Sequence, residues 1–511
     1  MSPTIGVITI SVVSLATVTI GALGLRVSRT TSDFYVASRS VGPVLNASAI
    51  GGEYLSAASF LGIAGLILAR GTDMLWYPVG WTAGYLVLLV LVAAPLRRSG
   101  AYTLPDFAQF RLESLRARHI SSLFVALIGI LYLMPQFQGA GITLRALTGA
   151  PKWVGAVVVA LVVLVNVLSG GMRSITFVQA FQYWLKLTAL LVPLAFFLVA
   201  WRGDGSPVVV HLAARDWVQP FTSDHALYST YSLILATFLG TMGLPHVVVR
   251  FYTNPDGKAA RRTTVVVLAL LSCFYVLPPI YGALGRIYAF NLVGQHRTDS
   301  VVLELPGRIL AGPAADLLTA LLGAGAFAAF LSTSSGLTVS VAGVISQDLL
   351  SKYVDGVRAF RLASVMAAVI SLGFALASAG LAVANAVELA FAVAASTFCP
   401  LLLLGIWWRR LTAVGAITGL VVGGTLSGGA VIATLLGVTA HGWLGALLAQ
   451  PAAWTVPITF GLMIGVSLAT TSSSPIDVTK IMVRLHTPEH IDVDRGSFHP
   501  EGRQPPVAVV D

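Results

Sequence analysis

The chain has 511 residues, of which 56% are hydrophobic and only 10% are charged, and its mean hydropathy is +0.85. Soluble domains carry about 25% charged residues, so this composition excludes an ordinary soluble protein and indicates a polytopic protein of the lipid bilayer. The net charge of +10 raises the question of a nucleic-acid partner. The basic residues form no run and do not alternate with exposed aromatics, so no nucleic acid is expected.

A membrane span needs about 20 apolar residues. By this rule the sequence predicts an all-α membrane domain over residues 1–475, followed by a cytoplasmic, disordered tail over 476–511, which is polar and proline-rich. The stretch 308–350 exceeds one span and predicts a short amphipathic segment before its helix. The thirteen predicted transmembrane helices cover residues 5–26, 44–69, 75–96, 119–146, 153–169, 175–201, 226–249, 263–290, 308–350, 360–379, 382–407, 413–437 and 453–471.

The basic residues predict the orientation, because cytoplasmic loops are enriched in lysine and arginine. If the N-terminus is outside, most of the 31 lysines and arginines fall in cytoplasmic loops. The sequence therefore predicts a multi-pass protein of the cell membrane, with its N-terminus outside and its C-terminus in the cytoplasm.

Two glycine-rich breaks lie in the second and seventh predicted spans. Gly51 and Gly52 precede Glu53, and the segment 240–245 contains two glycines and Pro245. These breaks correspond if spans two to six and seven to eleven are two five-helix repeats. Unwound backbone in a bilayer is tolerated where it lines a cavity, and such a pair indicates a transporter site at the midplane. Close helix packing is the alternative explanation.

The ninth span carries four consecutive hydroxyl residues at positions 332–335. Ala329, Ser332 and Thr333 share one helical face, because they are three and four residues apart. Together with carbonyls released by the break in span two, they predict a cation site, since hard cations take oxygen ligands. Alternatively, the hydroxyls bond to their own helix or join helices.

Several segments of the chain resemble the sodium/solute symporter family, and in particular its acetate and short-monocarboxylate permease branch. The resemblance implies the leucine-transporter fold, with inverted five-helix repeats in helices 2–6 and 7–11, additional helices 1, 12 and 13, and alternating access. The segments that carry it are DFYVASRSVG (33–42), GEYLSAASFLG (52–62), AYTLPDFAQFR (101–111), GGMRSITFVQ (170–179), GLPHVVVRFYT (243–253) and SGLTVSVAGVISQDL (335–349).

The resemblance also implies a sodium site. Some relatives of the acetate branch are apolar at the two hydroxyl positions, so the hydroxyls of this chain favour sodium over protons as the coupling ion. Many family members carry an acid where this chain has Gln179, which argues against acid-assisted ion release. The implied ligands are the carbonyls of Gly52, Leu55 and Ala329 and the hydroxyls of Ser332 and Thr333.

The substrate is expected between the two breaks, where an exposed helix N-terminus favours an anion such as a carboxylate. Charges within spans are usually functional, so Glu53 is expected to attract a cation or accept a proton, and Lys186 is also expected to act in function. Arg145, near a helix end, either pairs with a carboxylate or snorkels to the interface. The substrate candidates are Gly51, Tyr54, Ser56, Ser59, Gln136, Gln138, Thr237, Thr241 and Pro245.

The sequence thus predicts a secondary active transporter, not an enzyme, that couples inward sodium flow to uptake of a short monocarboxylate such as acetate, propionate or pyruvate. The alternatives are the same fold carrying another solute (proline, a sugar, pantothenate or urea) or coupled to protons. A third alternative is a membrane sensor that acts through a partner protein.

Overall fold

The computed structural model describes residues 3–25, 41–208, 217–221, 224–354, 356–377, 383–438, 440–471, 475, 477–489 and 491. Within these ranges every regular element is helical. The basic residues predicted between the first two spans, and the chain end RQPPVAVVD, lie outside them.

The helices are named here in chain order. Two short helical turns, Asn291–Gly294 and Thr298–Ser300, lie between α11 and α12. The helices are α1 Pro3–Leu25, α2 Pro43–Tyr54, α3 Ala58–Arg70, α4 Thr72–Ser99, α5 Leu104–Leu112, α6 Leu115–Thr148, α7 Lys152–Gly203, α8 Ala226–Gly243, α9 Pro245–Tyr252, α10 Gly257–Tyr275, α11 Leu277–Tyr288, α12 Val301–Ile309, α13 Pro313–Ile345, α14 Gly356–Ala377, α15 Val383–Trp407, α16 Ala413–Leu435, α17 Gly442–Ala449, α18 Ala452–Ala469 and α19 Val478–His486.

The all-α membrane architecture is confirmed. Among the described residues, 11 helices are long and apolar enough to cross a membrane, and the bent pair α2 and α3 raises this number to 12. The fifth predicted span is a shorter apolar helix, Lys152–Leu168, which forms the first part of α7. The number of thirteen spans stays a prediction.

The centre of the fold is α13. Every residue from Leu322 to Ile345 is buried, because this helix is surrounded by other helices, among them α1, α2, α6 and α7. A helix that is apolar on all sides belongs in such a position. The hydroxyl cluster of α13 therefore lies inside the protein rather than against lipid.

The break in the second span lies later than the sequence predicts. Gly51 and Gly52 are helical, and α2 ends at Tyr54, where Leu55 leaves the helix with ψ 84° and the chain bends by 68° into α3. The two glycines serve helix packing instead. A Cβ on Gly52 would lie 2.0 Å from the carbonyl oxygen of Gln179 on α7.

The break in the seventh span falls within the predicted segment. Leu244 alone is extended, with φ −73° and ψ 118°, and Pro245 is the first residue of α9. Proline disfavours the helical region for the residue before it and suits the first turn of a helix, so the Leu-Pro pair ends α8 and starts α9. Gly240 and Gly243 pack against α15, where a Cβ would lie 2.5 Å and 2.3 Å from backbone oxygens.

Two further predictions need correction. The amphipathic segment expected at the start of 308–350 lies earlier than predicted, because the short helix α12 covers Val301–Ile309 and ends there, and Gly312 with φ 73° separates it from α13. Part of the tail expected to be disordered is the helix α19. Its apolar residues Ile481, Met482 and Leu485 are buried, because α19 packs on the Ser99 end of α4.

Candidate functional site

The end of α2 provides buried backbone oxygens that have no partner within their own helix. The last carbonyls of a helix have no intrahelical partner, and here side chains from other helices take their place. The carbonyls of Gly52 and Leu55 accept hydrogen bonds from Lys186 on α7, and the carbonyl of Glu53 accepts one from Thr333 on α13. The break therefore joins three helices through its own backbone.

The ammonium of Lys186 lies at the point where the predicted cation ligands converge. Its Nζ is 2.8 Å from the Leu55 carbonyl oxygen and 2.9 Å from Ser332 Oγ, and it also contacts the Gly52 carbonyl oxygen. The lysine is 0% exposed. It therefore occupies the position that the sequence assigns to a cation.

The other two predicted ligands lie beside this position. The Ser332 hydroxyl donates to the carbonyl of Ala329 at 3.0 Å, and Thr333 Oγ1 donates to the carbonyl of Glu53 at 2.5 Å. The structure thus brings all five predicted ligands together around the end of α2. Because Lys186 fills the centre of this ligand set, the arrangement does not fit a sodium ion beside the ammonium.

Glu53 is paired rather than free to attract a cation. Arg250 on α9 donates from Nε to Glu53 Oε2 at 2.6 Å, and both side chains are buried. The same guanidinium donates to Thr176 at 2.8 Å and to the side-chain oxygen of Gln179. Gln179 in turn donates to the carbonyl of Ser332 at 2.8 Å, so an amide bridges this arginine to the cation position.

The substrate candidates at the two breaks meet directly. Thr241 Oγ1 donates to the carbonyl of Thr237 at 2.7 Å and shares a 2.8 Å hydrogen bond with the hydroxyl of Tyr54. Thr237 itself donates to Leu233 of its own helix at 2.8 Å. One hydrogen bond thus connects the end of α2 with the end of α8.

The N-terminus of α3 is also capped by predicted residues. The amide of Ala57 donates to Gln136 Oε1 at 3.0 Å, and the amide of Ala58 donates to Ser56 Oγ at 3.2 Å. Ser59 shares a 3.0 Å hydrogen bond with Tyr275. These amides form the anion-favouring helix N-terminus that the sequence predicts. In this structure side-chain oxygens accept their hydrogen bonds.

The remaining candidates have other surroundings. Gly51 packs against the ring of Tyr183, and Pro245 starts α9. Gln138 is only half-buried and lies on the opposite side of α6 from Gln136. Arg145 is exposed near the end of α6, which favours snorkelling over a role in substrate binding.

An aromatic cluster surrounds the Tyr54–Thr241 contact. The ring centre of Phe391 on α15 lies 5.7 Å from that of Trp81, 5.8 Å from that of Tyr132 and 6.3 Å from that of Tyr54. Phe391, Trp81, Tyr132 and Tyr54 form the aromatic cluster. All four are buried, so the contact between Tyr54 and Thr241 is shielded from solvent by aromatic rings.

His246 is a polar residue at this cluster that the sequence analysis did not single out. Its ring lies 5.1 Å from the ring of Tyr132, and it is 1% exposed. Among the described residues, neither ring nitrogen has a hydrogen-bond partner. Buried polar groups normally have one, so this imidazole is suited to a ligand. Its place directly after Pro245 at the break was the available signal.

A cavity of about 500 Å³ opens at the Thr72 end of α4, opposite the end on which α19 packs. Arg70, Asp73, Tyr77 and Arg286 are among its lining residues. Tyr77 also packs against Trp81 of the aromatic cluster, with ring centres 5.5 Å apart, and donates a hydrogen bond to Glu388. The cavity thus ends at a tyrosine that separates it from the position between the breaks.

Comparison with known proteins identifies relatives that match most of this chain. A model of the sodium:solute symporter family matches residues 34–423. An uncharacterized symporter of Bacillus subtilis, YwcA, is 31% identical over 91% of this chain and 94% of its own length. A monocarboxylic acid transporter of Corynebacterium glutamicum is 33% identical over 78% of each chain.

Solved structures agree on the architecture. A Na⁺-coupled sialic acid symporter in a substrate-bound, outward-open state aligns with a TM-score of 0.70 at 15% identity, over 90% of this chain and 98% of its own. Mhp1, a nucleobase-cation-symport-1 family transporter in a closed conformation, aligns with a TM-score of 0.56 at 14% identity, over 88% and 98%. At these identities the likeness concerns the fold alone, and it confirms the predicted leucine-transporter-like fold.

Proposed function

Because the chain belongs to the sodium:solute symporter family, we propose that it takes up a short monocarboxylate such as acetate, propionate or pyruvate. An inward cation gradient drives this uptake by alternating access. The monocarboxylic acid transporter of Corynebacterium glutamicum, at 33% identity, supports this class of substrate. The chemistry is binding and release, and no covalent step is needed.

The observation that carries the proposal is the meeting of the two breaks. Tyr54 at the end of α2 and Thr241 near the end of α8 share a hydrogen bond, and the breaks leave the N-termini of α3 and α9 directed into the protein. Helix N-termini favour anions. A carboxylate bound there would accept hydrogen bonds from groups that now bind Gln136 and Ser56.

His246 supplies the side-chain donor for that carboxylate. Its imidazole follows the break at Leu244, is buried against Tyr132, and has no hydrogen-bond partner among the described residues. A carboxylate oxygen accepts from an imidazole N–H. The bound acid would therefore lie between the N-terminus of α3 and His246, with its short apolar part against the aromatic cluster.

The proposed entry route begins at the cavity near Thr72. Two arginines, Arg70 and Arg286, line it together with Asp73, and a cleft lined by cations raises the local concentration of anions. Its volume of about 500 Å³ lies within the range of small-molecule sites. Tyr77 would have to move to admit the acid to the aromatic cluster.

The cavity faces outward if the basic residues indicate the orientation. Arg97 and Arg98 lie at the Ser99 end of α4, where α19 brings Arg484 close to Arg98. This concentration of arginines is typical of the cytoplasmic side. The N-terminus would then be outside and the C-terminus inside, in the cell membrane.

Uptake of labelled acetate into proteoliposomes tests the function. Unlabelled acetate, propionate and pyruvate should compete, whereas proline, glucose, pantothenate and urea should not. Sodium and choline media, each with and without a pH gradient, identify the driving ion. Absence of saturable acetate uptake, together with saturable uptake of labelled proline, glucose, pantothenate or urea, would overturn the proposed substrate class.

Replacing His246 by alanine should raise KM for acetate by about 10- to 150-fold, because a hydrogen bond to a charged group contributes about 1.5–3 kcal/mol. The maximal rate should fall less. His246→Gln keeps an N–H donor and should recover part of the affinity. The control is His119→Ala, which removes an exposed histidine at the start of α6. An unchanged KM in His246→Ala would exclude His246 from the site.

A further inference from the structure

We propose that the ammonium of Lys186 takes the place of the sodium ion at the end of α2, so that transport requires no sodium at this position. The inference rests on the proposed symport function and specifies the cation at its predicted site. It differs from the sequence-based expectation of sodium at the five oxygens around Gly52 and Ser332.

The ligands of Lys186 use its full bonding capacity. An ammonium has three N–H donors and no acceptor. Three oxygens receive them, from Gly52, Leu55 and Ser332, and each belongs to the ligand set expected for sodium. A sodium ion would need these same oxygens. The ammonium and the ion are therefore alternatives at one position.

The local charges also favour a single cation there. Glu53 is the acid nearest to the position, and it is paired with Arg250 through a 2.6 Å contact. Ser332 Oγ, which accepts from Lys186, is uncharged, and so are the neighbouring Thr333 hydroxyl and Gln179 amide, which donate to the carbonyls of Glu53 and Ser332. A sodium ion beside Lys186 would add a second positive charge, and within the described ranges Glu53 is the acid that acts on Lys186, already paired with Arg250.

The end of α2 is a suitable place for an ammonium. The C-terminal carbonyls of a helix carry a partial negative charge, and two of those near Tyr54 point at Nζ of Lys186. Hydrogen bonds lower the cost of burying a charge, and all three N–H donors of Lys186 have an oxygen partner here. Lys186 also binds α13 through Ser332, so one side chain connects α7, the broken span and the central helix.

The vacated position should bind sodium if the lysine replaces the ion. We therefore expect Lys186→Ala to gain a saturable increase in melting temperature with NaCl, measured against choline chloride at equal ionic strength. Wild-type protein should show no such shift, since a ligand stabilises only the state that binds it. Lys186→Met fills most of the volume without a charge and should also not respond. Lys258→Ala, which removes an exposed lysine, is the matched control.

Uptake measurements supply the second readout. Wild-type acetate uptake should agree within about twofold between sodium and choline media, because an ion without a site shifts no population. Lys186→Ala should lose uptake in choline and recover part of it in sodium. Acetate uptake by Ser332→Ala, which keeps Lys186, should remain independent of sodium.

Three results would overturn the inference. One is a saturable sodium-dependent rise in the melting temperature of the wild type that Ser332→Ala abolishes. The second is wild-type uptake that stops in choline and whose half-saturating sodium concentration rises in Ser332→Ala. The third is a folded Lys186→Ala that ignores sodium. If Lys186→Ala does not fold, the wild-type sodium titration decides alone. The melting assay needs no substrate, so it remains decisive even if no short acid is transported and the proposed function fails.

Discussion

Arg250→Met should abolish acetate uptake and lower the stability of the protein by about 3–5 kcal/mol, the effect expected when one partner of a buried ion pair is removed. Glu53 would remain buried without its 2.6 Å contact to Nε of Arg250. Thr176 and Gln179 would lose a donor at the same time. Thermal melting in detergent and uptake in proteoliposomes measure the two effects.

A double variant separates the lost ion pair from a general packing defect. Glu53→Gln combined with Arg250→Met removes both charges, and replacement of a whole buried pair is often nearly neutral for stability. The double variant should therefore melt well above Arg250→Met. Arg262→Met, which removes an exposed arginine on α10, should leave melting and uptake unchanged. Equal melting of the single and double variants would mean that the pair is not what stabilises this region.

The position of Arg250 could not be predicted from the basic residues alone. It comes near the end of a predicted span, and the orientation rule therefore treats it as a loop charge. In the structure it is 0% exposed, because α9 turns inward after the break at Leu244 and directs the guanidinium to Glu53 on α2. The local sequence around Arg250 is compatible with a charge in a loop and with a buried ion-pair partner. Only the direction that α9 takes after the break distinguishes the two.

The α13 side of the ligand set could be predicted from local sequence, and the full set of five was implied by the family resemblance. Ala329, Ser332 and Thr333 share a face by helical periodicity, and a break must release carbonyls. The occupant of the set depended on Lys186, which is 131 residues from Leu55 along the chain and contacts its carbonyl oxygen at 2.8 Å. The position of Lys186 within a predicted span indicated a function, but no local sequence pattern connects this lysine to the break. Only the packing of α7 against α2 and α13 does so.

The glycines of span two illustrate a different limit. Glycine favours both helix breaks and close approach of backbones, and the sequence does not distinguish the two. Here Gly52 remains helical and brings α2 against Gln179 of α7. This close approach also places Lys186, two turns along α7, within reach of the carbonyls of Gly52 and Leu55. Packing at the glycine and the cation position at the helix end are therefore linked.

Gly52→Ala should consequently separate α2 from α7 and disable transport. The added Cβ would lie 2.0 Å from the backbone oxygen of Gln179, and a backbone atom cannot move aside as a side chain can. Overpacking of this kind destabilises a protein by about 1–3 kcal/mol, and here it would also pull the Gly52 carbonyl away from Lys186. We expect a lower melting temperature and a loss of uptake of at least tenfold, since about 1.4 kcal/mol corresponds to a factor of ten.

Two other glycines provide the comparison. Gly51→Ala would meet the ring of Tyr183 at 2.8 Å, a side chain with some freedom to shift, so its effect should be smaller. Gly373→Ala on α14 would meet no atom within 4 Å and should melt at or slightly above the wild type, because alanine favours the helix. Uptake is expected to decrease in the order Gly373→Ala, Gly51→Ala, Gly52→Ala. Wild-type uptake in Gly52→Ala would show that the cation position tolerates a displaced α2, and that the contact between Gly52 and Gln179 does not set its geometry.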